Sequence, residues 1–410
     1  MPAPRDETVS LFRRNGIAVV ASNQFIRVFA RSQMWIFLPL YLLVSRHVPY
    51  LVIGVVIFLM AISSLPLTLV AGNFIDRRGA RSVIIYANIL LGLLLLSLTI
   101  LIFENSSLFL IYLVLVLSEP LMNIIGAADN VIITDSSSVS ERNSAFSFVR
   151  ILQNLGFSLG PAVGGFIAGI GYGYIFLLTT VFSFSELFVY VKFLKEQKRG
   201  SPGAKEEIAG TKPDILKAFK DKPFFIVAIL ISLFYLILGQ WGTTLTFFWK
   251  GFDNMTYFDI GLLYSVNGVV VTVGQLPLNR LLKKLEDIAR INLGYVVYLI
   301  SFSLLPFFRG FVFLVLDTVL ITIGENIVSP SINTVISRIA PTNKRGQYFT
   351  SFQVLTGMIT PIAPVLGTFF LTIFSADIGL IWYPFTIIGV AFFLSFIPLW
   401  RKVNMSEHNN

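Results

Sequence analysis

The sequence predicts an all-α membrane protein with twelve transmembrane helices in two pseudo-symmetric six-helix bundles. Three observations predict it: the composition, a count of apolar runs, and an internal repeat. Of 410 residues, 55% are hydrophobic and only 13% charged, with a mean hydropathy of +0.79. A soluble domain carries about 25% charged residues. A chain of this length cannot hide so much apolar surface in one water-soluble core, so lipid is the solvent for most of it. The 30 glycines and 18 prolines are scattered, which excludes collagen-like and low-complexity readings.

A span needs about 20 mostly apolar residues, and the chain offers twelve such runs. They are Ile17–Leu43, Val52–Ala71, Val83–Phe103, Leu108–Thr134, Ala145–Ile170, Tyr174–Phe193, Phe224–Phe248, Phe258–Leu281, Ile291–Phe308, Phe311–Ile336, Phe349–Phe374 and Gly379–Leu399. The segment before the first run, Met1–Asn15, is polar and lacks a short apolar core with a small-residue cleavage site, so that run reads as a retained span and not a signal peptide.

With both termini in the cytoplasm, 25 of the 31 lysines and arginines fall on the cytoplasmic side. Arg46, Lys250 and Arg309 lie outside, and Arg27, Arg31 and Arg150 lie within spans. That bias orients a multi-pass protein of the cell membrane. It also accounts for the net charge of +9 without a nucleic-acid partner.

The longest hydrophilic stretch, residues 195–222, is rich in Lys, Glu, Gly and Pro. It reads as a cytoplasmic linker joining an N-terminal bundle (1–194) to a C-terminal bundle (223–410). Within it, Pro213–Asp221 places Ile215, Leu216 and Phe219 at helical spacing, as a short surface helix would.

The halves repeat. Arg142, Phe146, Leu152, Pro161 and Gly164 match Arg345, Phe349, Leu355, Pro364 and Gly367 at one constant offset of 203. Paired six-span halves place a substrate site near the membrane midplane.

Two motifs point to a family. Gly72, Asp76, Arg77, Arg78, Gly79 and Arg81 after the second run resemble the signature loop of the major facilitator superfamily, G-x-x-x-D-R-x-G-R-R, with Ala80 replacing one basic residue. In a gating loop, Gly72 would allow close helix approach and Gly79 a tight reversal. Asp76 would face a cation or a helix N-terminus, and the arginines would hold the loop in the cytoplasm.

In the fifth run, Gly156, Gly160, Pro161, Gly164 and Gly165 are similar to the G-x-x-x-G-P-x-x-G-G motif of that superfamily's drug–proton antiporter branch. Glycines at four-residue spacing make a flat contact face, and proline kinks the helix so that bundles can rock. The resemblance implies that fold, with the first, fourth, seventh and tenth spans lining a cavity. One departure concerns coupling: the branch carries an arginine about six residues before a Gly-Ala pair in the fourth span. Here Gly126-Ala127 follows Glu119-Pro120, with no arginine in the run.

Charge inside hydrocarbon is costly, so each intramembrane ionisable group is a functional candidate. Asn23, Gln24, Arg27 and Arg31 recur at spacings of three and four and form one polar stripe on the first helix, with Gln33 off it. The fourth span adds Glu119, Asn123 and Asn130 on one face, with Asp129 turned partly away. The seventh adds Tyr235, Gln240 and Trp241, and the tenth Asp317, Glu325 and Asn326.

Three readings of these residues compete. Arg27 or Arg31 pairs with Glu119, Asp129 or Glu325 and protonation breaks the pair; or the arginines bind an anionic substrate; or they are interhelical locks. Arg150 reads as a structural partner of Asp135 or Asp76, and Glu186 as a group packed on a neighbour. Trp35, Tyr235, Trp241 and Tyr264 are candidates for a flat cavity wall.

The function expected is secondary active transport by alternating access, with proton-coupled efflux of amphipathic compounds by a monomer. The alternative is proton-coupled uptake of an anionic or sugar-like metabolite. No cofactor or metal is expected. The chain has no cysteine and only His47 and His408, so the usual nucleophile–base and metal-ligand sets of an enzyme are missing. No G-x-x-x-x-G-K-[ST] for an ATP-driven pump occurs.

Overall fold

A computed structural model describes residues 15–138, 140–195, 215–341 and 344–407. These residues are mostly helical and contain eleven helices long and apolar enough to cross a membrane, together with a shorter apolar stretch, Ile378–Leu394. The protein is a multi-pass membrane protein. Its first six spans are the helices Asn15–Leu40 (continued as one π-helical turn, Tyr41–Ser45), Tyr50–Arg78, Ala80–Phe103, Leu108–Asp135, Arg142–Ile170 and Tyr172–Phe193. The eighth to tenth are Tyr257–Leu281, Asp287–Leu304 and Phe311–Ile339, and the last helix is Trp382–Glu407.

Most of the expected linker lies outside the described residues; of its expected surface helix, one short turn at Ile215–Ala218 is present. Asp221 then caps the seventh span, its side chain accepting from the amide of Phe224.

The seventh and eleventh spans are interrupted. The seventh runs Lys222–Leu238, turns once as a 3-10 helix over Gly239–Trp241, and resumes at Thr244–Gly251. The eleventh stops at Ile359 and restarts at Ile362, where Pro361 withholds an amide from the helical ladder. The first and fifth spans, their counterparts in the repeat, run through the corresponding stretches as α-helix, and the fifth keeps Pro161 within it.

The signature segment is mostly helix. The second span continues to Arg78, Gly79 alone breaks it, and the third begins at Ala80. Gly79 has φ +83°, a left-handed conformation that only glycine adopts freely, so the reversal expected there is observed. The close approach expected at Gly72 is corrected: nothing lies within 4 Å of where its Cβ would sit. Arg81 donates to the carbonyls of Leu194 (2.7 Å) and Val191 (3.4 Å), closing the end of the sixth helix, where unpaired carbonyls and the helix dipole favour a cation.

The chain divides into two compact units. One comprises Met1–Val48, Val55–Pro202 and Thr256–Gly268; the other Pro49–Gly54, Gly203–Met255 and Val269–Asn410. Each therefore includes a short piece of the opposite half of the sequence.

In the first unit the fifth span is packed backbone to backbone on two sides. A side chain on Gly156 would meet the Phe25 carbonyl and the Phe29 amide; on Gly160, the Phe29 carbonyl and Ser32; on Gly164, Gln33 and Phe37. The other side takes the opening half of the eighth span: Gly261 rests on the Pro161 carbonyl, Gly268 on Ser158, and Gly165 on Tyr257 and Phe258. Without water to drive association, close backbone contact is what holds helices together in lipid.

The second unit repeats these contacts. Gly54 rests on the Pro364 carbonyl and Thr368, Gly367 on Gln240 and Thr244, and Gly239 on Ala363. Partners on the first and second spans (Ser32, Gln33, Phe37, Gly54) reappear 207 residues later as Gly239, Gln240, Thr244 and Gly261. Partners on the fifth span (Gly160, Pro161, Gly164, Gly165) reappear 203 residues later as Ala363, Pro364, Gly367 and Thr368. The duplication read in the sequence is thus a duplication of contacts.

This packing makes Gly160→Ala destabilising by about 1–3 kcal/mol, the usual cost of overpacking. Gly169→Ala, with nothing within 4 Å, should be neutral or slightly stabilising. Thermal unfolding of the two variants in detergent checks this; equal midpoints would contradict it.

Candidate functional site

The polar stripe of the first span divides into a sealed layer and an open one. Arg27, 8% exposed, extends its guanidinium between the fourth and sixth spans. Nη1 meets Asp129 Oδ2 at 2.8 Å, Nε meets Glu186 Oε2 at 2.9 Å, and Nη2 donates to the Tyr190 hydroxyl at 2.8 Å. That hydroxyl in turn donates to Asp129 Oδ1 at 2.7 Å.

Gln24 donates to Asp129 Oδ2 at 2.9 Å, and its carbonyl accepts from Gln153 of the fifth span at 3.0 Å. Asn23 donates to the backbone carbonyl of Glu186 at 3.4 Å. Helical spacing makes this possible: residues 23, 24 and 27 share one face of the first helix, and 186 and 190 share one face of the sixth.

The electrostatics follow from counting. One guanidinium that cannot deprotonate faces two carboxylates, and every group is buried. With both carboxylates ionised the cluster carries one uncompensated negative charge in a low-dielectric surround, a costly arrangement. One proton makes it neutral.

One turn along, Arg31 pairs with Glu119. Their side chains are 37% and 15% exposed, so this pair is accessible where the Arg27 cluster is not. Asn123 is half-buried and Asn130 exposed on the same helix, while Asp129 is fully buried on its other side. Trp35 is exposed and packs edge-on against the buried Tyr264, 6.1 Å between ring centres.

The expected partners of Arg150 are corrected. Arg150 lies just over two turns into its helix, is exposed and, among the described residues, makes no ion pair.

Glu186 and Tyr190 are the residues that sequence reasoning leaves out of the site. A single acid in an apolar run gives no pattern by itself. The available signal is that Glu186 is the one acid of its span, with a tyrosine one turn away on the same face.

In the second unit the candidates are dispersed. Gln240 is fully buried at the seventh-span break. It donates to the carbonyls of Leu236 (2.6 Å) and Ala363 (3.1 Å) and accepts from Thr244, so it ties the seventh span to the eleventh. Trp241 packs edge-on against Trp249 at 5.8 Å. Asn326 is buried and donates to the Val270 carbonyl at 3.1 Å. Glu325 is half-buried near Tyr235 and Tyr298.

Asp317 is 3% exposed; Ser301 donates to Oδ1, and among the described residues nothing donates to Oδ2. The lysines and arginines of the second-half spans sit at or near helix ends, so these interior acids have no interior cation beside them in sequence.

Comparison with known proteins gives a consistent result. The family model described as Major Facilitator Superfamily matches residues 20–364. The chain is 24% identical over 392 residues to Multidrug resistance protein 2 of Bacillus subtilis, covering 94% of each. It is 25% identical over 368 residues to an uncharacterised MFS-type transporter of the same organism, YttB, covering 86% of this chain and 87% of that one. Among solved structures, the nucleoside transporter NupG superposes with a TM-score of 0.78 at 15% identity, over 94% of this chain and 99% of that one, a likeness of fold.

The two layers predict different costs. Arg27→Met leaves two buried carboxylates without their cation and should destabilise by about 3–5 kcal/mol. Arg31→Met, in the more exposed pair, should cost about 1 kcal/mol or less. Thermal unfolding in detergent separates them, and equal losses would contradict the sealed-and-open division.

Proposed function

We propose, from the premise that the chain belongs to the major facilitator superfamily, that it is a secondary transporter exporting amphipathic cations in exchange for protons. The observation that carries this is the single arginine held between two buried carboxylates, Asp129 and Glu186. A cluster one positive charge short of neutrality is a proton-binding device. Its two protonation states differ in how tightly the first, fourth and sixth spans are tied, and such a difference is what coupling requires.

A cationic substrate suits the remaining charges. Glu119 in the open layer, with Glu325 and Asp317 in the other unit, gives the spans more acids than cations. A lipophilic cation takes the place of Arg31 at Glu119, and the exposed aromatic face of Trp35 adds an apolar and cation–π wall. Relatives named multidrug resistance proteins in Bacillus subtilis and a quinolone resistance protein in Staphylococcus aureus support export of drug-like compounds.

The protein works in the cell membrane as a monomer with both termini cytoplasmic, by alternating access. Its residues 72–81 form the gate and the Gly156–Gly165 segment the packed pivot. The rival, uptake of an anion, rests on Arg31, a partly exposed guanidinium that a carboxylate or phosphate substrate would recruit from Glu119.

The test is accumulation of a fluorescent lipophilic cation in everted vesicles under an imposed acid-inside gradient. Wild type should accumulate it and lose it when the gradient is collapsed. Asp129→Asn should fall at least about tenfold in gradient-driven accumulation, whereas Glu119→Gln and Glu325→Gln should weaken apparent affinity for the cation. Gradient-independent accumulation would contradict proton coupling. Transport of an anion and of no cation would establish the rival.

A further inference from the structure

The proton-coupled reading leaves two carboxylates beside Arg27 and one proton to assign. We infer that the proton binds Glu186, at Oε1, and that Asp129 stays ionised in both states; the inference rests on that reading. The two carboxylates differ in their hydrogen-bond donors.

Asp129 accepts from three groups that have a hydrogen to give and fixed directions. Arg27 Nη1 and Gln24 Nε2 meet Oδ2 at 2.8 and 2.9 Å, and the Tyr190 hydroxyl meets Oδ1 at 2.7 Å. Gln24 cannot simply turn its amide over, because its carbonyl is taken by Gln153 at 3.0 Å. If Tyr190 turned to accept from Asp129, its own hydrogen would lose its acceptor while its oxygen took hydrogens from both Arg27 and Asp129. Three of the four lone-pair positions of this carboxylate are filled, so a proton on Asp129 would take the last, on Oδ1, and turn the oxygen that Tyr190 donates to into a hydroxyl, a poor acceptor, which weakens a buried bond.

Glu186 accepts a single side-chain bond, from Arg27 Nε to Oε2 at 2.9 Å, and among the described residues nothing donates to Oε1. Its side chain keeps 6% of its surface exposed, where that of Asp129 keeps none. Protonation at Oε1 turns a carboxylate into a carboxylic acid whose Oε2 still accepts from Arg27. The cluster charge then goes from −1 to 0 without breaking a bond. Arg27 is left balanced by Asp129 alone, and the sixth span is held to it by a hydrogen bond to a neutral acid instead of an ion pair.

The charged and titratable surroundings of Glu186 are few. The first span presents Arg27, the fourth Asp129, and its own helix Tyr190 one turn on. On the third span, Arg81 is bonded to the carbonyls of Val191 and Leu194 and Tyr86 is 69% exposed. On the fifth, Arg142 and Arg150 do not bond Glu186, and Arg150 is exposed.

Infrared difference spectroscopy of the purified full chain, stepped from high to low pH without substrate or gradient, tests this. In wild type a protonated-carboxyl stretch should grow. The component of it that Glu186→Gln lacks should shift when glutamate carries ¹³C at its carboxyl, and not when aspartate does. Glu186→Asp keeps the charge count, and in it that component should return and shift with labelled aspartate instead. A Glu186→Gln spectrum identical to wild type would overturn the assignment, as would a lost component that follows the aspartate label in the wild-type chain. Because no transport is measured, failure of gradient-driven transport would sink the coupling reading and leave this proton assignment standing.

Discussion

An arginine keeps its charge at any physiological pH, and Arg27 keeps it while 8% exposed in an apolar helix. The first, fourth, fifth and sixth spans are arranged around that fact. Two carboxylates, a phenol and two amides from four helices surround one guanidinium. Each of those groups is acceptable in hydrocarbon only because the others satisfy it. Helix packing and charge chemistry are therefore one constraint here. Gly156 and Gly160 bring the fifth span close enough to the first for Gln153 to reach Gln24, and without that bond the amide facing Asp129 has no fixed sense.

The repeat sharpens this. Packing partners recur at constant offsets in the two halves, so both inherit one way of joining helices, carbonyl against glycine. The chemistry laid on it differs. The first half places Arg27 and Arg31 inside the spans and balances them with carboxylates, whereas the second keeps cations at helix ends and places acids inside. The second half also breaks two helices that the first half runs through, at Gly239–Trp241 and at Pro361. A break at membrane depth frees backbone groups that must find partners, and Gln240 supplies one by donating to the carbonyls of Leu236 and Ala363.

Much of this was legible in the sequence because lipid imposes simple rules. Apolar length gives spans, and a polar stripe at spacings of three and four must face protein, as Asn23, Gln24 and Arg27 do. Less was legible where one residue's meaning depends on a helix remote in sequence. Glu186 stands alone in its run, and only the approach of the sixth span to the first gives it a partner. Gly72 shows the converse: motif spacing suggests a close contact, yet no neighbouring helix comes within reach. The glycines of the eighth span, Gly261 and Gly268, lie seven residues apart, a packing signal that has meaning only beside Ser158 and Pro161.

The central claim is that the Arg27 cluster exchanges a proton against a cationic substrate. The most direct measurement is the number of protons released when a saturating lipophilic cation is added to the purified protein in weakly buffered detergent, read with a pH indicator. Linkage predicts release of up to one proton per chain from wild type at a pH where the cluster holds its proton, and close to none from Glu186→Gln. Cation binding that releases no proton from wild type at any pH would contradict the account.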